Sequence, residues 1–184
     1  MLSLRSTIVC FTLACILVPS PSAASIADEF RAGAYAKNID PKSFPVWVNG
    51  GIAGYQIDRV KDALFARCLV MSQGKTKLAI AIVDNCILPH EITDRAKAIV
   101  EQKIGIPPSN VLIAATHTHS AVSVTGTHGC PVQEDYAQQL PEWIAEGILE
   151  AHQRLKPAKV GTTSVVAEKY IYCRDWLMKP GTAS

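Results

Sequence analysis

Val111-Leu112-Ile113-Ala114-Ala115-Thr116-His117-Thr118-His119-Ser120 runs from five apolar residues straight into a polar turn carrying two alternate histidines. A short apolar run with β-branched residues, bounded by turn residues, reads as a buried strand. In extended backbone, residues i and i+2 point to the same side, so His117 and His119 enter one cavity if the strand geometry continues past Ala115. Imidazole is a preferred zinc ligand, and Thr118 or Ser120 is placed to hold the second ring nitrogen in one tautomer. On chemistry alone a His-x-His in a polar loop is more often solvated than metallated; the flanking elements decide.

Upstream, Leu78 to Val83 is a continuous apolar run that reads as a strand buried on both faces and closed by Asp84-Asn85. Ile92, Ala96, Ile99, Val100 and Ile104 then recur at helical spacing, with Gly105 as the C-terminal cap and Pro107-Pro108 forbidding continuation. Strand, helix and strand in that order predict a βαβ unit with parallel strands and a right-handed crossover. Asp84 and His117 therefore leave the sheet at one edge, the carboxyl edge at which open α/β sheets bind their ligands.

The rest of the chain extends this core. Leu64 to Met71 and Lys77 to Asp84, separated by Ser72-Gln73-Gly74-Lys75-Thr76, predict an antiparallel hairpin. Pro141 is expected in the first turn of a helix that ends near Lys156, with Ile144, Ile148, Leu149 and Leu155 as its apolar stripe, and Lys159 to Ala167 is expected as a further strand before Arg174 and Trp176. The expected fold class is α/β, a mixed β-sheet with a βαβ unit and flanking helices. There are no repeats and no linker marking a second domain.

Hydrophobic residues make up 48% of the 184-residue chain and charged residues 18%, which is globular, and the formal charge of +2 without a basic run gives no footprint for nucleic acid. At the amino terminus, Arg5 precedes Ser6 to Val18, too short an apolar stretch to span a bilayer, and Pro19 to Ala24 supplies small residues for cleavage. Residues 1–24 are thus expected to be a signal peptide, with Ser22-Ala23-Ala24 as the cleavage signal and Ser25-Ile26-Ala27 as the alternative. The protein is expected to be exported, periplasmic or secreted. A lipid-modified Cys15 is disfavoured by the apolar Ile16-Leu17-Val18 that follows it.

Export leaves Cys68, Cys86, Cys130 and Cys173, which allow three disulfide connectivities that the sequence does not separate. Cys68 and Cys86, in or beside apolar strands, read as buried small hydrophobes. Cys130 and Cys173 flank loops near the expected site edge, where a bridge and a free thiol are both compatible. His128 in Gly126-Thr127-His128-Gly129 is a conceivable third ligand but reads first as a solvated loop residue. His90 reads as a surface residue, His152 as lying at the edge of the later helix's stripe, and Gly50-Gly51 and Gly54 as turn residues.

Thr116-His117-Thr118-His119-Ser120 after an apolar strand resembles the zinc-binding segment of the neutral (neutral/alkaline, non-lysosomal) ceramidases. Phe30-Arg31-Ala32-Gly33-Ala34, Asp62 to Val70 and the strand ending in Asp84 look like successive blocks of that family's amino-terminal domain, so the resemblance runs from about Phe30 to Pro180. It implies that residues 28–184 are the amino-terminal portion of a larger catalytic domain. It further implies zinc as cofactor, His117 as metal ligand, His119 beside the metal assisting the substrate or the developing oxyanion, and Arg174 as a substrate-orienting residue. The implied substrate is a ceramide-like lipid amide, with peripheral membrane contact.

Two departures qualify what the resemblance implies. Cys173 stands where the family has Asn before the arginine, and Ser120-Ala121-Val122 stands where it has Ser-Gly-Pro, which points to a divergent subgroup and to another amide or ester as the alternative substrate. The family's further ligands, a histidine, a glutamate and a tyrosine, lie downstream of this block, and Ser184 is the last residue here. Two histidines fall short of the three protein ligands of an open zinc site, so the chain alone is expected to be inactive and to bind zinc weakly. The alternative from another class is a catalytically silent extracytoplasmic binding or structural domain.

Overall fold

The computed structural model describes residues 29–170 and 179–181. The expected signal peptide, residues 1–24, and the Cys173-Arg174 pair fall outside the described residues. The chain forms β1 (Arg31–Asn38), β2 (Val46–Asn49), β3 (Tyr55–Ile57), β4 (Phe65–Gln73), β5 (Thr76–Val83), α1 (His90–Ile104), β6 (Val111–Ala115), β7 (Ala121–Val122), α2 (Glu134–Gln153) and β8 (Lys156–Pro157). Five strands make one sheet in the order β6-β5-β4-β1-β8, and β3-β2-β7 make a smaller one. This is the expected α/β class with a mixed sheet.

The hairpin and the βαβ unit form as the sequence dictates. β4 and β5 pair antiparallel from Ala66↔Val83 to Gln73↔Thr76, so the strands run further than their apolar runs and only Gly74-Lys75 turn between them. β5 and β6 pair in parallel, Ala79↔Val111 through Val83↔Ala115, with α1 as the crossover between them. α1 stops where expected: Gly105 takes φ 66°, and its N–H bonds back to the Glu101 carbonyl at 2.9 Å.

The core lies on one side of the larger sheet. Ala66, Cys68 and Val70 of β4, Ala79, Ala81 and Val83 of β5 and Val111 of β6 face Ile92, Ala96 and Val100 of α1 and Leu140, Ile144 and Ile148 of α2, all buried. Each of the large α2 side chains, fully removed from water, contributes roughly 1.5–3 kcal/mol. Small residues on both sides let α2 approach the sheet closely: a Cβ on Gly147 of α2 would fall 2.7 Å from the Cys68 sulfur, and one on Gly33 of β1 would strike the Ala151 carbonyl.

Three expectations change. β5 is not buried on both faces; Ala79, Ala81 and Val83 are covered, whereas Leu78 is 43% exposed and Ile80 and Ile82 are half-buried, because the described helices cover only one face. Pro141 is not in the first turn of α2. That helix begins at Glu134, and Tyr136, Leu140, Ile144, Ile148 and Ala151 form one buried stripe through the proline. The stripe's burial holds the helix together although Pro141 offers no N–H to the Ala137 carbonyl. Finally, Lys159 to Ala167 is no strand: only Lys156–Pro157 pairs, against Arg31 and Ala32, and Val160, Val165 and Val166 stay exposed. An apolar run lacking a neighbouring strand among the described residues has no ladder to join.

Candidate metal centre

The two loops at the carboxyl edge of β5 and β6 are built to meet. Thr116 N–H bonds the Val83 carbonyl at 2.9 Å, which continues the parallel ladder one step beyond β6. Beyond it the extended geometry does not persist. His117 takes φ 60°, in the left-handed region that non-glycine residues rarely occupy and that costs about 1–2 kcal/mol. The simple alternation argument for His117 and His119 therefore fails in its detail. The histidines nevertheless come together: their rings stand edge to face, 5.0 Å between centroids and 80° between planes.

The opposing loop brings a residue that the sequence reading treated as core. Asn85 is fully buried; its Nδ2 donates to the Val122 carbonyl at 3.1 Å, and its Oδ1 accepts the Ile87 N–H at 3.3 Å. That pair of bonds shapes the turn Asn85-Cys86-Ile87 and fixes it to β7. Cys86, 4% exposed, then lies with its sulfur 3.8 Å from His117 Nδ1, and its carbonyl accepts the Nδ1 hydrogen at 2.8 Å. Nδ1 therefore faces both the carbonyl and the sulfur of Cys86: protonated, it donates to the carbonyl, and deprotonated, it offers its lone pair on the sulfur's side of the ring. One donor atom each of Cys86, His117 and His119 lies within 4.8 Å of the other two; the cysteine is buried and both histidines are exposed. The donor set fits zinc, for which thiolate and imidazole are preferred ligands and three protein ligands leave a position open.

Gly50 is the second residue missed by inspection of the motif. β7 pairs with β2, Asn49↔Ala121 and Val48↔Val122, and this folds the residue after β2 against the histidine turn. Gly50 has φ 108°, and a Cβ there would lie 2.7 Å from His119 Cα and Cγ. A glycine is required on both counts. Its signal in the sequence was only Gly50-Gly51 as a turn. Gly54 likewise leaves room for Cys130, whose thiol donates to the Val48 carbonyl at 3.5 Å.

Other expected residues fall apart from this cluster. Asp84 leaves the sheet at the same edge, but its Oδ2 accepts from Phe65 N–H at 2.9 Å and pairs with Arg67 at 2.7 Å, so it anchors the start of β4. Thr118 and Ser120 do not hold the ring nitrogens; they line an open cavity of about 560 Å³ together with Asp84, Tyr55, Ile57 and Leu64. His128 belongs to the short 3-10 turn Thr127–Gly129. His90 is the exposed first residue of α1, and His152 is half-buried on α2. Cys68, Cys86 and Cys130 are free thiols. No helix among the described residues is long and apolar enough to cross a membrane.

Solved ceramidases share this fold. The neutral ceramidase from Pseudomonas aeruginosa superposes with a TM-score of 0.61 at 20% identity, and a ceramidase complexed with C2 with 0.60 at 20%. Each superposition covers 71% of this chain and 22% of the other, so the chain spans about a fifth of the length of the structures it matches. No protein-family model and no curated protein sequence matches it. The likeness establishes a ceramidase-like fold for this part of the chain.

Proposed function

We propose that this chain is the amino-terminal portion of an exported, zinc-dependent amidohydrolase of the neutral ceramidase type, hydrolysing the amide of ceramide or a related lipid amide to a sphingoid base and a fatty acid. The observation that carries this reading is the convergence of Cys86, His117 and His119 at the carboxyl edge of a ceramidase-like sheet. Zinc bound there would supply Lewis acidity toward an amide carbonyl and a more acidic water. The protein's own part is positional. His117 is pinned by the Cys86 carbonyl, His119 packs against Gly50 and is the residue proposed to assist the reacting carbonyl, and Arg174 is the residue proposed to orient the substrate.

The cavity next to the turn supports a substrate with both an apolar arm and a polar head. Ile57, Leu64 and Val122 line it alongside Asp84, Thr118 and Ser120, so a lipid amide would find apolar wall and hydrogen-bonding groups within one space. Access from an exposed turn also suits a substrate presented at a membrane surface.

The test is amide hydrolysis of a short-chain ceramide by a version extended with the downstream residues that the ceramidase resemblance implies. Activity should disappear with His117→Ala. In the same extended version, His119→Ala should keep the metal while kcat falls by roughly 10² to 10³, the usual cost of removing one oxyanion donor. Full ceramide hydrolysis by the His117 variant would refute the proposal. Hydrolysis of simple esters or other amides but not of ceramide would retain the site and reassign the substrate, as the Ala121-Val122 departure suggests.

A further inference from the structure

We infer that Cys86 is a metal ligand in this chain, and that with His117 and His119 it forms a three-donor site for zinc or cobalt that needs no residue from elsewhere. The inference concerns metal binding alone, so it stands whether or not the chain is part of a ceramide hydrolase. Three independent features of the fold assemble the set. The Asn85 side chain, fully buried and bonded at both ends, fixes the turn that turns Cys86 inward beneath the histidines. The left-handed backbone at His117 swings its ring over that turn, where the Cys86 carbonyl holds Nδ1 at 2.8 Å and the sulfur lies at 3.8 Å. Gly50 clears the space that His119 occupies, bringing the third donor within 4.8 Å of the other two.

Strain supports a ligand role over packing. A β-sheet core needs no left-handed histidine; His117 is the one non-glycine residue at positive φ among the described residues, and backbone strain of that kind clusters at functional sites. The charge balance is also favourable, because a dication offsets one thiolate, whereas two neutral imidazoles alone would leave its charge unbalanced. Binding would release the thiol proton to solvent. Cys86 is buried and both histidines are exposed, so the cluster is reached from the histidine side.

Titration of the reduced, metal-free 184-residue chain with Co²⁺ decides the matter. The expected result is one equivalent bound with a sulfur-to-cobalt charge-transfer band in the near ultraviolet and intense visible bands of a tetrahedral ion. Cys86→Ser should abolish the ultraviolet band, and His117→Ala should weaken binding by more than about 100-fold, beyond the cost of losing an outer partner of a ligand. Cys68→Ala and Cys130→Ala should leave the spectrum unchanged. A band that survives Cys86→Ser, or cobalt bound without any sulfur band, overturns the inference. Should Cys86→Ser fail to fold, alkylation of the wild-type chain followed by peptide mapping is the second measurement: zinc should protect Cys86 selectively, and equal labelling with and without zinc overturns the inference as well.

Discussion

Cys68 and Cys86 are hidden to the same degree, each 4% exposed, yet one sits in the middle of the sheet and the other at its carboxyl edge. Around Cys68 everything is apolar or backbone: the thiol faces the Ala66 carbonyl at 3.7 Å and the Ile144 carbonyl at 4.0 Å, with Gly147 pressed against it, and burial pushes its pKa up to about 12. Around Cys86 stand an imidazole at 3.8 Å and a second histidine, with solvent beyond them. Burial therefore does not decide what a cysteine does. Neighbouring donors and access decide it: the middle of the sheet offers Cys68 only packing, and the edge offers Cys86 the two histidines of the proposed metal site.

If the two regions are separable, Ile144→Ala should be the most costly change in the middle and silent at the edge. Ile144 is fully buried between α2 and β4, and its truncation should lower the unfolding free energy in urea by about 2–5 kcal/mol. Cobalt should still bind with the same spectrum under native conditions. Loss of the metal spectrum from the folded variant would break the separation.

The contact between Gly147 and Cys68 gives a smaller and sharper test. Gly147→Ala should destabilise by about 1–3 kcal/mol through overpacking against the sulfur, less up to about 1 kcal/mol gained in helix propensity. Cys68→Ala removes the atom in the way. In a double-mutant cycle on urea midpoints the two changes should couple favourably by about 1 kcal/mol. Strict additivity would mean that α2 shifts and the packing is looser than its geometry.

A further test of the middle of the sheet concerns alkaline pH. Cys68 keeps its proton in the folded chain up to about pH 12, whereas an unfolded cysteine loses it near 9, so between those values the folded state binds more protons. Stability must then fall as pH rises through that window, by at most about 1.4 kcal/mol per pH unit for one group. Tyr136, whose phenol is raised by burial and by the carboxylates of Asp40 and Asp84 and donates to the Ile39 carbonyl at 2.8 Å, adds to the slope at its upper end. Cys68→Ala should flatten the fall measured by urea unfolding between pH 9 and 11. An identical slope in that variant would show that the sulfur is not the group responsible.

Local pattern carried three of the larger sheet's five strands. The apolar runs of β4, β5 and β6, the helical spacing of α1 and the Gly105 stop are local properties of the chain, whereas β1 and β8 join only through pairing across the fold. Pro141 and the residues from Lys159 to Ala167 misled for one reason. Local propensity speaks of a residue's preference, while a buried stripe, or the presence of a neighbouring strand, decides whether that preference is honoured.

Of the candidate site, the apolar run before them was enough to put His117 and His119 after a strand, at the carboxyl edge of the sheet. Their neighbours were not legible along the chain. Cys86 lies thirty-one residues before His117 and reached it across a parallel ladder and a crossover helix, and Gly50 reached His119 through a β2–β7 pairing too short to leave a pattern. Contacts of that kind depend on how loops from separate strands bend once the ladder has fixed their starting points. Spacing along the chain holds no record of such bends, because the loops' conformation is set by bonds made across the fold, such as Asn85 to Val122 and His117 to Cys86.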